Sequence, residues 1–451
     1  MAKFRLSASL PKTATTLLIG GILAAAAMPG FAASVELTLD DAIGMALKSN
    51  PSIKISAYDV EKANWDIKVA KAGKSPSLTL NHDASRYKTT GSAAYVYNYQ
   101  HLTDAPIVLL KPDYLTTAYT NSINLTYPLY SGGKLEGTIE KAQLSEKSSN
   151  YGLDKTKQQV KLDATSGYYK ILQARNTVKL REESLDQLTT HLKNVRAQFE
   201  AGTVAKSDVL RSETEKASAE QNLIIAKNNY EIAVADLNNI IGLQQDTELS
   251  INDELKYENY DKALAECITY ALAHRPDLAQ AATSVDIANA SIKVAKSGNK
   301  LSVNAVASEK WTDDDFPGMD NNTWSIGISA SYNLFDAGST KSEIKGAESD
   351  LAKAKEQLRQ AKDNAEFAVR EAYLNMKEAE KRINTSKVAV ASGEEDFKIA
   401  QVRYSAGVGT NIDVIDAQVS LTSAKNDYVQ ALYDYNLNRA KLENAMGMPV
   451  Q

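Results

Sequence analysis

The chain carries one pattern twice. The run from Ile67 to Gly73 (IKVAKAG) returns as Ile292 to Gly298 (IKVAKSG), 225 positions later. Tyr127-Pro-Leu129 returns as Tyr332-Asn-Leu334, Ala201-Gly202 as Ala406-Gly407 and Asp208-Val209 as Asp413-Val414, each 205 positions later. The fall in offset places about 20 extra residues in the first copy, around 85–118. A repeat this long, interrupted by one loop insertion, means two copies of one supersecondary unit. It implies pseudo-symmetry within the chain, and closed symmetry among chains if the unit cannot close alone.

Both copies have the same order: helix, strand, loop, strand, very long helix, turn, helix. The first copy spans 34–243, with strands expected near 77–88 and 119–131, a long helix over 134–200 and a second over 206–242. After a linker at 244–259, the second spans 260–448, with strands near 300–308 and 323–335 and helices over 338–405 and 411–446. The opening helices, from Asp40 to Gly73 and from Tyr260 to Gly298, each meet a proline, Pro51 and Pro276, which disfavours helix at the residue before it.

Residues 1–33 read as an export signal: Lys3, Arg5 and Lys12, then an apolar stretch from Leu17 to Met28, then Gly30-Phe31-Ala32 as a cleavage site. Loss of those three cations takes the net charge of −5 to about −8, which argues against nucleic acid as a partner. The single cysteine, Cys267, excludes an internal disulfide and reads as a small apolar helix residue. Beyond the signal no run of 18 apolar residues occurs, so any membrane crossing must be a closed β-barrel.

The strand patterns suit that requirement. Ile123, Leu125, Tyr127 and Leu129 alternate with Asn124 and Thr126. In the second copy Trp324, Ile326, Ile328, Ala330, Tyr332 and Leu334 alternate with Ser325, Gly327, Ser329, Ser331 and Asn333. Period-two runs with aromatics near their ends and small polar residues opposite are what a strand between lipid and a wet lumen needs. Leu78–Ala84 and Leu301–Ser308 are weaker first strands of the same hairpins.

The long helices repeat every seven residues: Ile171, Val178, Leu185, Leu192 and Phe199; Met376, Ile383, Val390, Phe397 and Tyr404; and, in the last helix, Val414, Leu421, Tyr428, Tyr435 and Leu442. A strict seven-residue repeat coils helices about their neighbours. The longest helix measures about 100 Å, and the two shorter ones about 55 and 50 Å, at 1.5 Å per residue. A short pair stacked end to end therefore matches one long helix. Each chain then supplies four rods and four strands. Four strands cannot close a pore, for which about eight is the practical minimum. Three chains give twelve of each.

At this point the sequence resembles the TolC family of outer-membrane efflux and secretion channels. The likeness rests on the repeat, on Leu39-Asp-Asp-Ala-Ile43 with Asn50-Pro51, and on the two helix turns, Phe199 to Asp208 (FEAGTVAKSD) and Arg403 to Asp416 (RYSAGVGTNIDVID). It implies a mainly α chain with a membrane β-barrel: long coiled helical hairpins plus four strands per chain, assembled as a trimer. A twelve-stranded β-barrel in the outer membrane would continue into a twelve-helix periplasmic α-barrel. The implied partners are two further copies, outer-membrane lipid, a periplasmic adaptor and an inner-membrane pump. No cofactor and no catalysis are implied, and the expected activity is passive conduction from pump to exterior in efflux or type I secretion.

The turns are the candidate site. Asp413 and Asp416 lie three apart at a helix start and share a face, so three-fold symmetry would gather six carboxylates on one axis. Such a ring favours cations or basic partners; acids in a first turn also satisfy backbone amides and the helix dipole. Asp208 holds the matching place in the first copy. By resemblance, Asp413 and Asp416 line the narrow entrance, while Asp208 and Tyr404 belong to links that hold neighbouring helices closed. The family prototype has an arginine five residues after this tyrosine; here Gly409 stands there, with Arg403 and Lys206 as nearby cations. Gly202 and Gly407 serve the turns, where glycine permits positive φ. Val204 and Val408 are expected to be exposed adaptor contacts. His82, His101, His191 and His274 have no metal-ligand spacing, and Gly132-Gly133 is a strand-to-helix bend rather than half a nucleotide loop. The competing reading is a periplasmic coiled-coil scaffold or adaptor without a barrel, which would not need the apolar and polar faces of 323–335.

Overall fold

The computed structural model describes residues 35–91, 93–96, 107–110 and 113–450. The expected export signal and part of the insertion around 85–118 lie outside the described residues. The first half contains β1 (Val35–Glu36), α1 (Leu39–Ser49), α2 (Pro51–Ala72), β2 (Ser77–Thr89), β3 (Ala93–Val96), β4 (Ile107–Leu110), β5 (Tyr114–Tyr130), α3 (Lys134–Glu200) and α4 (Lys206–Ile241). The second contains β6 (Leu249–Ser250), α5 (Leu264–His274), α6 (Pro276–Lys296), β7 (Ser302–Asp313), β8 (Asn322–Ser331), α7 (Ser339–Ser405) and α8 (Asn411–Ala445).

Local chemistry sets the breaks. Thr38 caps α1: its hydroxyl accepts from the Asp41 amide at 3.2 Å, and the Asp41 carboxylate accepts from the Thr38 amide at 3.3 Å. The helix stops at Asn50, before Pro51, and the Asn50 side chain then caps α2 by accepting from the Ser52 amide at 2.9 Å. The second copy breaks at Arg275, before Pro276. Its opening helix begins at Leu264 rather than Tyr260, because residues 251–263 run as an irregular strap over the core.

The short helices stack end to end. Ser49 Oγ donates to the Ile241 carbonyl at 2.5 Å and Asn50 Nδ2 to the Ile240 carbonyl at 3.1 Å, which seats α2 on the end of α4. Arg275 Nη1 donates to the Ala445 carbonyl at 2.7 Å, which seats α6 on the end of α8. α2 packs on the upper part of α3 and α4 on its lower part; α6 and α8 both lie between α3 and α7. The wall therefore runs α2/α4, α3, α6/α8, α7.

The helices obey the seven-residue repeat. Along α7 the buried side chains fall at 365, 369, 372, 376, 379, 383 and 386, then at 397, 400 and 404, in alternating steps of four and three. In α4 the seam is Ser212, Ala219, Ala226 and Ala233, one small residue every seven. Phe199, last of the repeat in α3, is exposed instead, because α3 ends one residue later.

The four long strands form one antiparallel sheet, ordered β2-β5-β7-β8. Register sorts its faces. Leu78, Leu125, Ala307 and Ile326 form one cross-strand row; Leu80, Ile123, Glu309 and Trp324 form the next on the same face. The opposite face carries Thr79, Asn124, Ser308 and Ser325, then Asn81, Ser122, Lys310 and Thr323. Glu309 is the ionisable residue in the apolar rows. β8 ends at Ser331, four residues short of the expected strand, so Tyr332 and Leu334 leave the sheet. The reason is the entry to α7: the Asp336 carboxylate accepts from the Gly338 and Thr340 amides at 3.0 and 2.9 Å, and Ala337 and Gly338 turn at φ +53° and +85°. β5 and β7 extend beyond the expected runs, to Tyr114 and Asp313, so part of each expected loop is strand.

Candidate functional site at the helix turns

Two five-residue turns, 201–205 and 406–410, close the hairpins α3–α4 and α7–α8 at the end opposite the sheet. Gly202 and Gly407 adopt φ +71° and +73°, with open space where a Cβ would stand, so backbone conformation alone selects glycine there. The Thr203 amide reaches the Gln198 carbonyl at 2.9 Å and the Val408 amide the Arg403 carbonyl at 3.0 Å, closing equivalent helix ends.

Asp413 caps α8. Its carboxylate accepts from the Thr410 amide at 2.9 Å, and its own amide donates to the Thr410 hydroxyl at 3.2 Å. The Thr410 amide, then its hydroxyl, then the Arg403 charge hold this exposed carboxyl below the usual carboxylate range. Asp416 is also exposed, one turn further along the helix. Asp208 is half-buried. Tyr404 is 7% exposed, and burial, then the Asp208 charge, raise its pKa. The Tyr404 hydroxyl nevertheless has no hydrogen-bond partner among the described residues. Asp208 and Tyr404 are therefore neighbours without a direct bond.

One expectation needs correction. Val204 is half-buried and packs on the turn-end core of Leu192, Val195, Val209 and Val414, because the 201–205 turn folds back over it. Val408 is exposed, at 69%. Gly409 sits against the end of α7, where a Cβ would lie 3.0 Å from the Tyr404 amide nitrogen, so the turn is packed around its bare backbone. Lys206 makes no ion pair among the described residues.

The site also contains residues absent from the sequence reading. Asn411, the first residue of α8, is 4% exposed. Its Oδ1 lies 2.6 Å from His191 Nε2 on α3 and 3.2 Å from Ser212 Oγ on α4, and its Nδ2 donates to the Asp208 carbonyl at 3.1 Å. His191 in turn stands over the Tyr404 ring, with centroids 5.1 Å apart. The available sequence signal was a histidine inside the apolar run Leu188, Leu192, Val195.

A cavity of about 630 Å³ lies away from the turns, beside α1, α3 and α8. Among its lining charges Arg439 meets Glu258 at 2.6 Å and Glu443 at 3.6 Å. Among the described residues, no group of histidine, cysteine or acidic side chains is placed to hold a metal, and no helix is long and apolar enough to cross a membrane.

Long paired hairpins below a sheet with one apolar and one polar face define a class: channels of the bacterial outer membrane. Solved members share the fold. The outer-membrane channel OprN superposes with a TM-score of 0.76 at 17% identity, over 91% of this chain and 89% of that one. The CmeC channel of Campylobacter jejuni gives 0.74 at 18%, over 91% and 85%. The family model for outer membrane efflux proteins matches residues 42–243 and 267–448, and the chain belongs to that family. Outer membrane protein TolC of Salmonella enteritidis is 26% identical over 410 residues, 88% of this chain and 79% of that protein. Outer membrane efflux protein BepC of Brucella suis is 23% identical over 429 residues, 94% and 88%. The chain is thus an outer-membrane efflux channel, and the scaffold reading falls with that membership.

Proposed function

We propose that three copies of this chain form a passive exit duct that uses no cofactor and carries out no catalysis. The observation that supports it most is an unfinished wall. The sheet has two edges, β2 and β8, whose outer sides have no strand partner among the described residues. The helical layer has matching open seams. Phe367, Leu374, Val388 and Val402 stand exposed on α7, mostly seven or fourteen apart, and Ile55, Tyr58, Trp65 and Val69 stand exposed on α2 at the other edge. Open strand edges and apolar stripes of this size call for covering surface. A second copy offers the complementary edge to each, and repetition closes a ring. Twelve strands enclose a lumen lined by the serine, threonine and asparagine face.

The turns then form the periplasmic end of the duct. Asp413 and Asp416, repeated around the axis, make an acidic entrance, with Asp208 and Tyr404 behind it. The turn surface with Gly202, Gly407 and Val408 meets a periplasmic adaptor, which joins the duct to an inner-membrane pump; Val204 supports that surface from beneath. Cargo, whether drug, ion or secreted protein, is chosen by the pump. Planar-bilayer recording from the purified protein tests the reading. Discrete conductance steps with cation preference support it, and a water-soluble protein without conductance contradicts it.

A further inference from the structure

We propose that the loop between β7 and β8, Asp314 to Asn321, is a membrane anchor. It folds down over the apolar face of the sheet and presents Phe316 and Met319 to the outer leaflet of the outer membrane, instead of covering the mouth of the duct. This rests on the reading of that face as lipid-facing in an assembled barrel.

Register fixes the side on which the loop lies. His82, Asn121, Trp311 and Asn322 form one cross-strand row, two residues beyond the row of Leu80, Ile123, Glu309 and Trp324 and on the same face. Asn121 is thus a carboxamide on the apolar side. Both of its ends are engaged. Its Oδ1 accepts from His82 Nδ1 at 2.7 Å, and its Nδ2 donates to the Pro317 and Gly318 carbonyls at 2.8 and 2.9 Å. A side chain on that face can reach both carbonyls only if the loop lies over the same face.

The contact is close. Gly318 adopts φ +77°, and a Cβ there would lie 2.6 Å from the Tyr119 Cβ, so the loop backbone rests directly on β5. The Phe316 ring stands edge-on to Tyr119 and His82, with centroids 5.6 and 6.1 Å apart. At the base, the Thr312 amide donates to the Asp320 carbonyl at 3.2 Å and Asn321 Nδ2 to the Thr312 carbonyl at 3.3 Å.

Depth identifies the occupant of the other side. Asn121 stands nine residues above Tyr130, the helix-side end of β5. At about 3.3 Å per residue and a tilt of about 40° this is roughly 23 Å, close to the apolar band of about 25 Å in a membrane barrel. The loop therefore sits where acyl chains give way to headgroups, the level at which aromatic rings gather. There Phe316 is 73% and Met319 58% exposed, continuous with Trp311 and the apolar rows beneath. The bonds explain why polar groups stand at this depth. A bare carboxamide or backbone carbonyl facing acyl chains is costly. Asn121 and the loop satisfy each other, which leaves the two apolar side chains outermost.

The test uses the full-length assembled protein in phosphatidylcholine vesicles, with a nitrobenzoxadiazole label on single introduced cysteines; Cys267 is buried and out of the label's reach. A label on Phe316→Cys should be quenched by nitroxide-bearing phosphatidylcholine and shielded from aqueous iodide. Ile326→Cys, on the apolar face, should behave alike, and Ser325→Cys, on the polar face, in the reverse way. Adding Asn121→Leu to Phe316→Cys removes both loop bonds and should raise iodide access about ten-fold or more. Gly318→Val keeps Asn121 but drives the loop off Tyr119 and should do the same; it decides if Asn121→Leu fails to assemble. A label at position 316 that iodide reaches and the nitroxide lipid does not, beside an Ile326→Cys label that the lipid quenches, overturns the anchor. So does unchanged quenching in both loop-releasing variants. Failure of the barrel reading looks different: the Ile326→Cys label would itself escape the nitroxide lipid, and the anchor falls with it.

Discussion

Arg275 Nη1 lies 2.7 Å from the carbonyl oxygen of Ala445, so the last turn of α8 ends on the first residue before α6. The guanidinium is held by Asp277, from Nε at 2.9 Å and Nη2 at 2.6 Å. Burial pushes the Asp277 carboxyl up, but the Arg275 bonds and charge outweigh it and hold the carboxyl below its usual range. Close packing completes the joint, since a Cβ on Gly447 would lie 2.8 Å from Arg275 Cα.

Arg275→Ala is expected to destabilise the helical part by about 2 kcal/mol, because it leaves a part-buried carboxylate and a helix-end carbonyl unpaired. The melting temperature should fall by a few degrees, and Asp277→Asn added to it should cost little more. Equal and additive losses would separate the two residues.

The sheet predicts opposite outcomes for adjacent positions. Ile326→Arg places a cation on the apolar face and should cost about 2–4 kcal/mol of membrane stability near the bilayer centre. Ser325→Arg faces the polar side; it should leave folding intact and lower conductance. Refolding into vesicles followed by denaturant titration checks the first, and single-channel current the second.

The α7 edge offers a test of assembly apart from folding. Leu374 is 56% exposed and lies on the open seam, whereas Met376, two residues on, is fully buried in the core. Leu374→Asp should weaken association while the helical content of the single chain is kept. Met376→Ala should instead lower stability by about 2–5 kcal/mol through a cavity. Native mass spectrometry and circular dichroism together separate the two.

Acidification should loosen the turn end. Burial lowers the His191 pKa, against the opposing effect of its Asn411 bond. Around it, α7 contributes Tyr404, α4 Ser212 and the nearby Asp208 carboxylate, and α8 the neutral Asn411. A depressed histidine contributes stability that is present above its ordinary pKa of about 6.5 and lost as pH falls through the lower folded value. Local opening of the turn end, read by amide hydrogen exchange, should therefore rise as pH drops below about 6.5, and His191→Gln should flatten that rise. The exposed Asp413 carboxyl, held below its usual range, keeps its charge through the same window.

What the sequence revealed follows from side-chain size and spacing. The α7 seam was legible because Met376, Ile383 and Phe397 are large. Its α4 counterpart was not, since Ser212, Ala219, Ala226 and Ala233 give almost no hydrophobic signal. Alternation through Tyr332 and Leu334 outran the hydrogen-bond ladder, which ends at the Ser302–Ser331 pair; periodicity reports faces, not pairing. Asp413 and Asp416 stood out as charges at a helix start. Asn411 did not, because it meets His191 across 220 residues, and one sequence holds no sign of which distant polar groups share a buried node. Val204 read as exposed because a turn valine gives no hint that its loop folds inward.

In the proposed duct, one chain is a third of a hollow wall. Single-particle electron microscopy of the detergent-solubilised full chain tests it most directly. Three-fold particles are expected, in which a strand barrel opens into a helical tube about 100 Å long, the span of one long helix. Compact single-copy particles with a filled interior would contradict it.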